Sequence, residues 1–346
     1  MKVKNGEIMT RLRVGIVGLG AMGKLYADAL TRNPLAKVKA VADVSGKELE
    51  FAKTNYNCDI FEGYQQMYAA GDLDLVIITL PDFMHRDPVI KAAEKGFHIL
   101  VEKPFATSMS DADAMVESIN KAGVKCMVEF FNRWSSPFAH AKRRVEAGDI
   151  GEIITFNIEL NDAVIVPTKM LKWSSKSSPA WFLMSHTSDL AFWITGKKPS
   201  SVCAVGVKKI LHQMGMETYD LIEALVEYPD GTMGRFTNSW ILPNGMPFAY
   251  ELKMRIVGSK AAIDIDTSDQ EVHLVTQDRI THPVTAWADI LGSFVGHPYT
   301  MLQSLIDSIL NDKKPLVDHM DGWYTTKFLD AVHQSVETGK KINIQW

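Results

Sequence analysis

The spacing of hydrophobic and polar residues predicts that the two halves of the chain differ in architecture. In the first half, apolar runs predict strands within 11–20, 36–44, 74–81, 97–104 and 124–131. Helical periodicity predicts helices within 22–33, 88–96 and 110–123. Ser110 is the expected N-cap of the last of these helices, and Gly123 its expected end. Strands and helices that alternate in this way form a doubly wound parallel sheet.

The pattern changes after about residue 134, where strands begin to follow one another. It predicts helices within 137–151 and 181–195 and two closing helices in the region from 298 to 339. It also predicts strands of period two within 152–160, 221–228 and 250–258. In the first strand, Ile154, Phe156, Ile158 and Leu160 fall on one face. The turn sequence PDGT joins consecutive strands, which favours an antiparallel sheet.

Composition excludes several classes of protein. Lys and Arg number 37 against 41 Asp and Glu, and the net charge of −4 without a basic stripe argues against a nucleic-acid partner. No apolar stretch approaches the roughly 20 residues of a membrane span. Cys58, Cys126 and Cys203 are too far apart for a disulfide framework or a CxxC metal site, which fits a reducing cytoplasm. We therefore expect a cytoplasmic protein with no metal site.

The sequence GLGAMG, residues 18–23, predicts a dinucleotide-binding loop because it follows a strand and opens a helix. Gly18 allows the tight turn, Gly20 lets the backbone approach a pyrophosphate, and Gly23 lets the helix pack on the strand. Ala21 and Met22 complete the loop and offer helix N-terminal N–H groups to the anion. The alternative is a glycine turn that binds nothing.

Asp43 ends the second predicted strand, twenty residues past Gly23. A carboxylate at this position accepts hydrogen bonds from the adenosine ribose and repels a 2′-phosphate. NAD is therefore favoured over NADP, although Lys47 lies close enough to soften the preference.

Two further groups of residues follow predicted strands, at the sheet edge where ligands of such folds bind. One is the segment LPDFMH, from which Leu80, Pro81 and His85 are expected to contact the cofactor. The other is EKP, in which Glu102 and Lys103 leave an apolar strand. A desolvated Lys103 beside the cofactor is a candidate proton donor or stabiliser of alkoxide charge. The alternative is a Lys–Glu pair that is merely solvated.

His186 stands within WFLMSHTSDLAFW, a stretch typical of a buried helix. Taken alone, it is a core histidine or a general base. Together, GLGAMG, P-D-x-x-H at 81–85, EKP at 102–104 and the segment from His186 to Gly196 resemble the glucose–fructose oxidoreductase and inositol dehydrogenase family, Gfo/Idh/MocA. The resemblance runs over almost the whole chain, residues 10–345.

The resemblance implies an N-terminal Rossmann domain and a C-terminal α+β domain with a large, open, mainly antiparallel sheet. We expect a flexible arm at 1–10, the NAD(P)-binding domain at 11–133 and the substrate-binding and oligomerisation domain at 134–346. The resemblance also implies a homodimer or homotetramer through the open sheet.

The expected activity is hydride transfer between nicotinamide and a carbinol or carbonyl carbon of a sugar, polyol or sugar derivative. The resemblance makes Lys103 the active-site lysine, with His186 as the general base and Asn132 and Arg133 as further substrate-binding residues. An NAD-dependent glycosidase and a non-catalytic NAD- or sugar-binding regulator remain as alternatives.

The chain departs from the family at one position. The family motif is D-x-x-x-H, and alignment on His186 puts Phe182 at the place of the aspartate. An aromatic ring accepts no hydrogen bonds from vicinal hydroxyls but stacks on a sugar face. A deoxy, acylated or amino sugar is therefore expected to contact Phe182. Asp189, three residues beyond His186, is expected to support the helix.

Overall fold

The computed structural model describes residues 3–4, 7–8, 11–269, 271–282, 286–290 and 293–346. Contacts divide the chain into two compact units, residues 1–129 with 289–323 and residues 130–288 with 324–346. The division into domains at 133/134 stays a prediction, and the return of 289–323 to the first unit was not anticipated. Most of the expected flexible arm lies outside the described residues. In its described part, β1 (Val3–Lys4) pairs with β2 (Glu7–Ile8).

The first unit contains a parallel sheet of six strands in the order β5-β4-β3-β6-β7-β8. These strands are β3 (Leu12–Val17), β4 (Ala36–Ala42), β5 (Asp59–Phe61), β6 (Leu75–Ile78), β7 (His98–Val101) and β8 (Cys126–Val128). The helices are α1 (Ala21–Thr31), α2 (Gly46–Tyr56), α3 (Tyr64–Ala70), α4 (Arg86–Glu94), α5 (Met109–Ala122) and, after the second unit, α9 (His297–Leu310). All residues of β6, β7 and β8 except His98 are buried, as expected of strands covered on both faces.

The structure confirms the doubly wound sheet and corrects two details. Helix α5 begins at Met109, so its N-cap is Ser108, whose hydroxyl accepts the Asp111 N–H at 3.2 Å, and not Ser110. Gly123 ends the helix in the left-handed region, at φ 66°, as predicted. The sequence pattern does not predict α2, β5 and α3, because this segment is rich in polar residues and its strand has three residues.

The second unit is built on a seven-stranded sheet in the order β14-β13-β9-β12-β11-β10-β19. Its strands are β9 (Ile153–Ala163), β10 (Ser201–Val207), β11 (Leu221–Glu227), β12 (Met233–Leu242), β13 (Tyr250–Gly258), β14 (Ala262–Asp266) and β19 (Ile342–Asn343). A two-stranded sheet in this unit is formed by β15 (Leu274–Val275) with β16 (Ile280–Thr281), and another, where the chain returns to the first unit, by β17 (Trp287–Ile290) with β18 (Ser293–Gly296). All described pairings of the large sheet are antiparallel except that of β9 with β12.

Helices cover one face of this sheet. They are α6 (Ser136–Glu146), α7 (Ser185–Thr195), α8 (Ile210–Gln213) and α10 (His319–Thr338), and a π-helical turn, Ala180–Met184, leads into α7. Among the fully buried residues of this core are Phe156, Phe236, Trp240 and Phe328. Of the described helices, none is both long and apolar enough to span a membrane.

The predicted inward face of β9 is wrong at its first residue, Ile154. Ile153 is 6% exposed and Ile154 is 52% exposed, so the first inward residue is Ile153. The cause is one extra residue in β9: Val257 of β13 pairs with Thr155 and the next residue, Gly258, pairs with Ile153, so the pairing skips Ile154. A bulge of this kind adds one residue on one strand and reverses the alternation locally. From Phe156 onward the predicted inward face is confirmed.

Candidate active site

The glycine loop has the geometry that a dinucleotide requires. Gly18 has φ 89°, and a Cβ there would lie 2.8 Å from the carbonyl oxygen of Thr79. A Cβ on Gly23 would lie 2.1 Å from the carbonyl oxygen of Gly18, so the third glycine permits the contact of α1 with the loop. A Cβ on Gly20 would meet no atom within 4 Å, which leaves open space at the start of α1. Ala21 begins α1, where the first N–H groups lack intrahelical partners. Together they form an anion cradle.

Asp43 lies directly after β4 and is held by two backbone groups. Its Oδ2 accepts the Leu19 N–H at 2.6 Å, and its Oδ1 accepts the Ser45 N–H at 2.7 Å. Each carboxylate oxygen has a second lone pair, which is available to a ribose hydroxyl. The carboxylate therefore also fixes the glycine loop, a role that the sequence analysis missed.

His85 connects the two sheet-edge segments. Its Nδ1 lies 2.9 Å from the carbonyl oxygen of Pro104, and its Nε2 lies 2.9 Å from that of Leu80. The ring is buried, which lowers the pKa of His85 because burial disfavours the imidazolium. Since both ring nitrogens face main-chain oxygens, His85 fastens the turn that contains Leu80 and Pro81 to the EKP segment. The Lys103–Pro104 peptide bond is cis.

Lys103 lies beside two buried carboxyl groups. Glu102 follows β7 and Glu129 follows the adjacent parallel strand β8, and they are 8% and 0% exposed. The Tyr26 hydroxyl, on the buried side of α1, donates to Glu129 Oε1 at 2.9 Å. Glu102 Oε1 and Glu129 Oε2 have no hydrogen-bond partner among the described residues.

Burial shifts the protonation of both carboxyl groups. It raises the pKa of Glu102 to about 7, against the opposing charge of Lys103. It raises the pKa of Glu129 well above its usual range, and the charge of Glu102 adds to this effect. The site therefore holds one cation and keeps at least one carboxyl protonated near neutral pH. Glu129 was not among the predicted site residues, although a glutamate at the end of the apolar run VKCMV was a signal.

His186 lies in the first turn of α7 and is 8% exposed. Its Nδ1 is 3.4 Å from Nδ2 of Asn132, and its ring centroid is 5.3 Å from that of Phe131. The Asn132 contact restricts the imidazole orientation, and the hydrogen on each nitrogen depends on the tautomer. The structure thus brings together two of the residues predicted to bind substrate.

Arg133, beside Asn132, forms a buried ion pair with Asp189 on α7. Its Nε lies 3.0 Å from Oδ2 and its Nη2 lies 2.5 Å from Oδ1, and the two side chains are 5% and 2% exposed. The guanidinium also lies over the ring of Trp193, 5.8 Å from its centroid. Asp189 thus connects α7 to the segment that contains Arg133. The substrate-binding role of Arg133 stays a prediction, and its described contacts are structural.

Phe182 belongs to an aromatic cluster. Its ring centroid lies 5.8 Å from that of Trp173 in an edge-to-face arrangement and 6.1 Å from that of Trp240. Phe182 is half-buried and Trp240 fully buried, so Phe182 forms the outer part of the cluster. The place where the family motif has a carboxylate is therefore apolar and aromatic. Trp173 was not predicted, because its role depends on the packing of a separate segment.

Comparison with known proteins gives matches over almost the full chain. Residues 12–130 match the family model described as oxidoreductase family, NAD-binding Rossmann fold, and residues 142–344 match the model of the C-terminal alpha/beta domain of the same Gfo/Idh/MocA family. Scyllo-inositol 2-dehydrogenase (NAD(+)) of Bacillus subtilis is 28% identical over 340 residues, with 96% of each chain covered. Inositol 2-dehydrogenase of Rhizobium meliloti is 26% identical, with 96% of this chain and 99% of the relative covered.

The fold is also that of solved structures. The crystal structure of myo-inositol 2-dehydrogenase from Lactobacillus plantarum superposes with a TM-score of 0.85 at 21% identity. The match covers 97% of this chain and 100% of the other.

Proposed function

Because the chain belongs to the Gfo/Idh/MocA oxidoreductase family, we propose that its substrate is a sugar or polyol derivative with fewer free hydroxyl groups than inositol. The predicted family, fold class and NAD cofactor are confirmed, as is the activity of a dehydrogenase on CH–OH groups. A sugar or polyol is the confirmed substrate class. The narrower class proposed here depends on this chain's own residues.

The observation that carries the proposal is the aromatic cluster at Phe182. The ring packs against Trp173 and offers no oxygen that accepts a hydrogen bond from a substrate hydroxyl. A fully hydroxylated ring would lose hydrogen bonds to water here without replacement, which costs free energy for each unpaired hydroxyl. A methyl, deoxy, acyl or amino-sugar face would instead stack on the ring. The inositol dehydrogenases among the relatives are therefore guides to the chemistry and not to the substrate.

The residues of the first unit fit the cofactor. The open space at Gly20 would accept the pyrophosphate, and Asp43, held by two N–H groups, would present its remaining lone pairs to the ribose. Bound NAD supplies the hydride acceptor. In the oxidation direction, His186 takes the hydroxyl proton while the carbon loses its hydride, so a carbonyl is formed. The Lys103 ammonium stabilises the developing negative charge on the oxygen.

The reaction is tested with purified protein, NAD and a panel of inositols, deoxy sugars, N-acetylated and amino sugars and glycosides. We expect reduced-nicotinamide absorbance to grow with the less hydroxylated members. Glycoside hydrolysis without this signal would favour the glycosidase alternative, and tight NAD binding without turnover would favour a regulator. Lys103→Ala and His186→Ala are expected to lower kcat by at least about a hundredfold. Turnover within a few-fold of wild type would refute their roles.

The substrate class has its own test. Phe182→Asp should shift the ratio of kcat/KM values toward inositol, because it restores a hydrogen-bond acceptor. Phe182→Leu is the matched control, since it keeps the site apolar and should preserve the preference. Preference for inositol in the wild type would overturn the proposed class and leave the dehydrogenase assignment intact.

The open face of the large sheet supports a proposed homodimer or homotetramer. Val205, Leu225 and Met233 lie on the solvent face of adjacent strands and are 64%, 46% and 42% exposed. Apolar residues clustered in this way are typical of an interface. Leu225→Glu should reduce the mass measured by light scattering, whereas Leu316→Glu, at an exposed leucine of the first unit, should not. A monomeric wild type would refute the interface. The cytoplasmic location stays a prediction.

A further inference from the structure

Two histidines face each other at the open end of the β15–β16 hairpin. His273 directly precedes β15 and His282 directly follows β16, and Leu274 pairs with Thr281 as the adjacent cross-strand pair. The imidazole rings are stacked, with centroids 4.5 Å apart and an interplanar angle of 21°. Side chains opposite each other across an antiparallel pair are close enough to share one ligand.

Asp269, from the segment that follows β14, completes a group of three. Its Oδ1 lies 3.0 Å from His273 Nε2, and one donor atom from each of the three residues lies within 4.8 Å of the other two. Asp269 Oδ1 also accepts the Glu271 N–H at 2.9 Å, which orients the carboxylate. Asp269 and His273 are exposed and His282 is partly buried, so the group is open to solvent.

The backbone around His282 orients its ring. Its ring Nδ1 lies 3.1 Å from the carbonyl oxygen of Ser268, and the main-chain N–H of His282 donates to the carbonyl oxygen of Pro247 at 2.6 Å. An imidazole whose one nitrogen donates to a carbonyl has the other available as a ligand, and metal-binding histidines commonly have such a partner. Two imidazoles and one carboxylate suit Zn²⁺ and neighbouring first-row ions, whereas Mg²⁺ and Ca²⁺ prefer oxygen ligands.

We propose that Asp269, His273 and His282 bind a divalent transition-metal ion, with Zn²⁺ as the preferred occupant and water as the remaining ligand. The ion connects the hairpin to the segment after β14. Because two-residue strands form a weak hairpin by themselves, this connection stabilises it. None of the three ligands is among the residues assigned to hydride transfer, and the proposal does not rest on the proposed substrate.

The experiment uses the full chain after treatment with a chelator and dialysis. Titration with ZnCl₂ is followed by calorimetry, and titration with CoCl₂ by visible absorption, which reports the coordination of the ion. We expect one equivalent of Zn²⁺ to bind per chain. Zn²⁺ should also slow proteolytic cleavage within 274–281.

Two variants make the test specific. His273→Ala with His282→Ala should lower the Zn²⁺ affinity at least about tenfold and abolish the protection from proteolysis. His212→Ala is the matched control, because His212 is an exposed histidine whose Nδ1 contacts Glu217 at 2.8 Å. Circular dichroism verifies that the variants fold. The absence of Zn²⁺ binding, or equal binding by the double variant, would overturn the proposal.

Discussion

Replacement of Arg133 by Met is expected to destabilise the second unit strongly. The guanidinium and the Asp189 carboxylate are 5% and 2% exposed, so the replacement leaves a negative charge buried without its cation. Removal of one partner from a buried ion pair costs about 3–5 kcal/mol. This is a large part of the roughly 5–15 kcal/mol by which a typical domain is stable. The lost packing on Trp193, which the guanidinium covers at 5.8 Å, adds to the effect.

Urea unfolding monitored by circular dichroism measures this loss. Arg144→Met is the matched control, because Arg144 pairs with Asp149 at the surface, with 55% and 44% exposure, and such pairs contribute at most about 1 kcal/mol. The double variant Arg133→Met with Asp189→Leu should be more stable than Arg133→Met alone, since it removes the unpaired charge. A loss below about 1 kcal/mol for Arg133→Met, accompanied by a higher KM, would refute the structural role and favour substrate binding.

Three further predictions concern the first unit. Gly20→Ala should weaken NAD binding about tenfold, ~1.4 kcal/mol, without lowering Tm. Gly23→Ala should lower Tm, because its Cβ would lie 2.1 Å from the carbonyl oxygen of Gly18. Equal Tm values of the two variants in calorimetry would contradict this. Asp43→Ser should reduce the ratio of kcat/KM for NAD to that for NADP, and an unchanged ratio would exclude a ribose contact. Burial raises the pKa of Glu129 above its ordinary 4.5, so unfolding releases a proton and stability falls as pH rises. Glu129→Gln should flatten this fall in urea unfolding between about pH 5 and 8, and an equal slope would show that Glu129 is ionised when folded.

Local patterns were sufficient for much of the fold and for the cofactor loop. A glycine loop between a strand and a helix requires its three glycines for reasons that operate within a few residues, and the structure shows the conformations and close contacts behind them. Asp43 at the end of its predicted strand and Gly123 at the C-terminus of α5 are short-range signals of the same kind. The segment of α2, β5 and α3 was missed because its polar composition gives a weak periodicity.

Features that depend on distant contacts were beyond the sequence. Nothing near Glu129 indicates that the hydroxyl of Tyr26, 103 residues away, would contact it. Arg133 and Asp189 are 56 residues apart, and their pairing becomes visible only when α7 packs on the turn that contains Arg133. The exposure of Ile154 follows from a bulge in β9 opposite β13, which period-two alternation along β9 cannot predict.

The place of β9 in its sheet has a consequence for how the chain folds. β9 is followed by 69 residues before β12 begins at Met233, and both strands with which it pairs, β12 and β13, come later in the chain. Its partners are far apart in sequence, so pairing must first close long loops, which slows folding. During synthesis, β9 leaves the ribosome with both edges unpaired until β12 and β13 follow. Its apolar face is therefore the surface on which a chaperone would act, and slower translation between 163 and 258 would prolong that exposure.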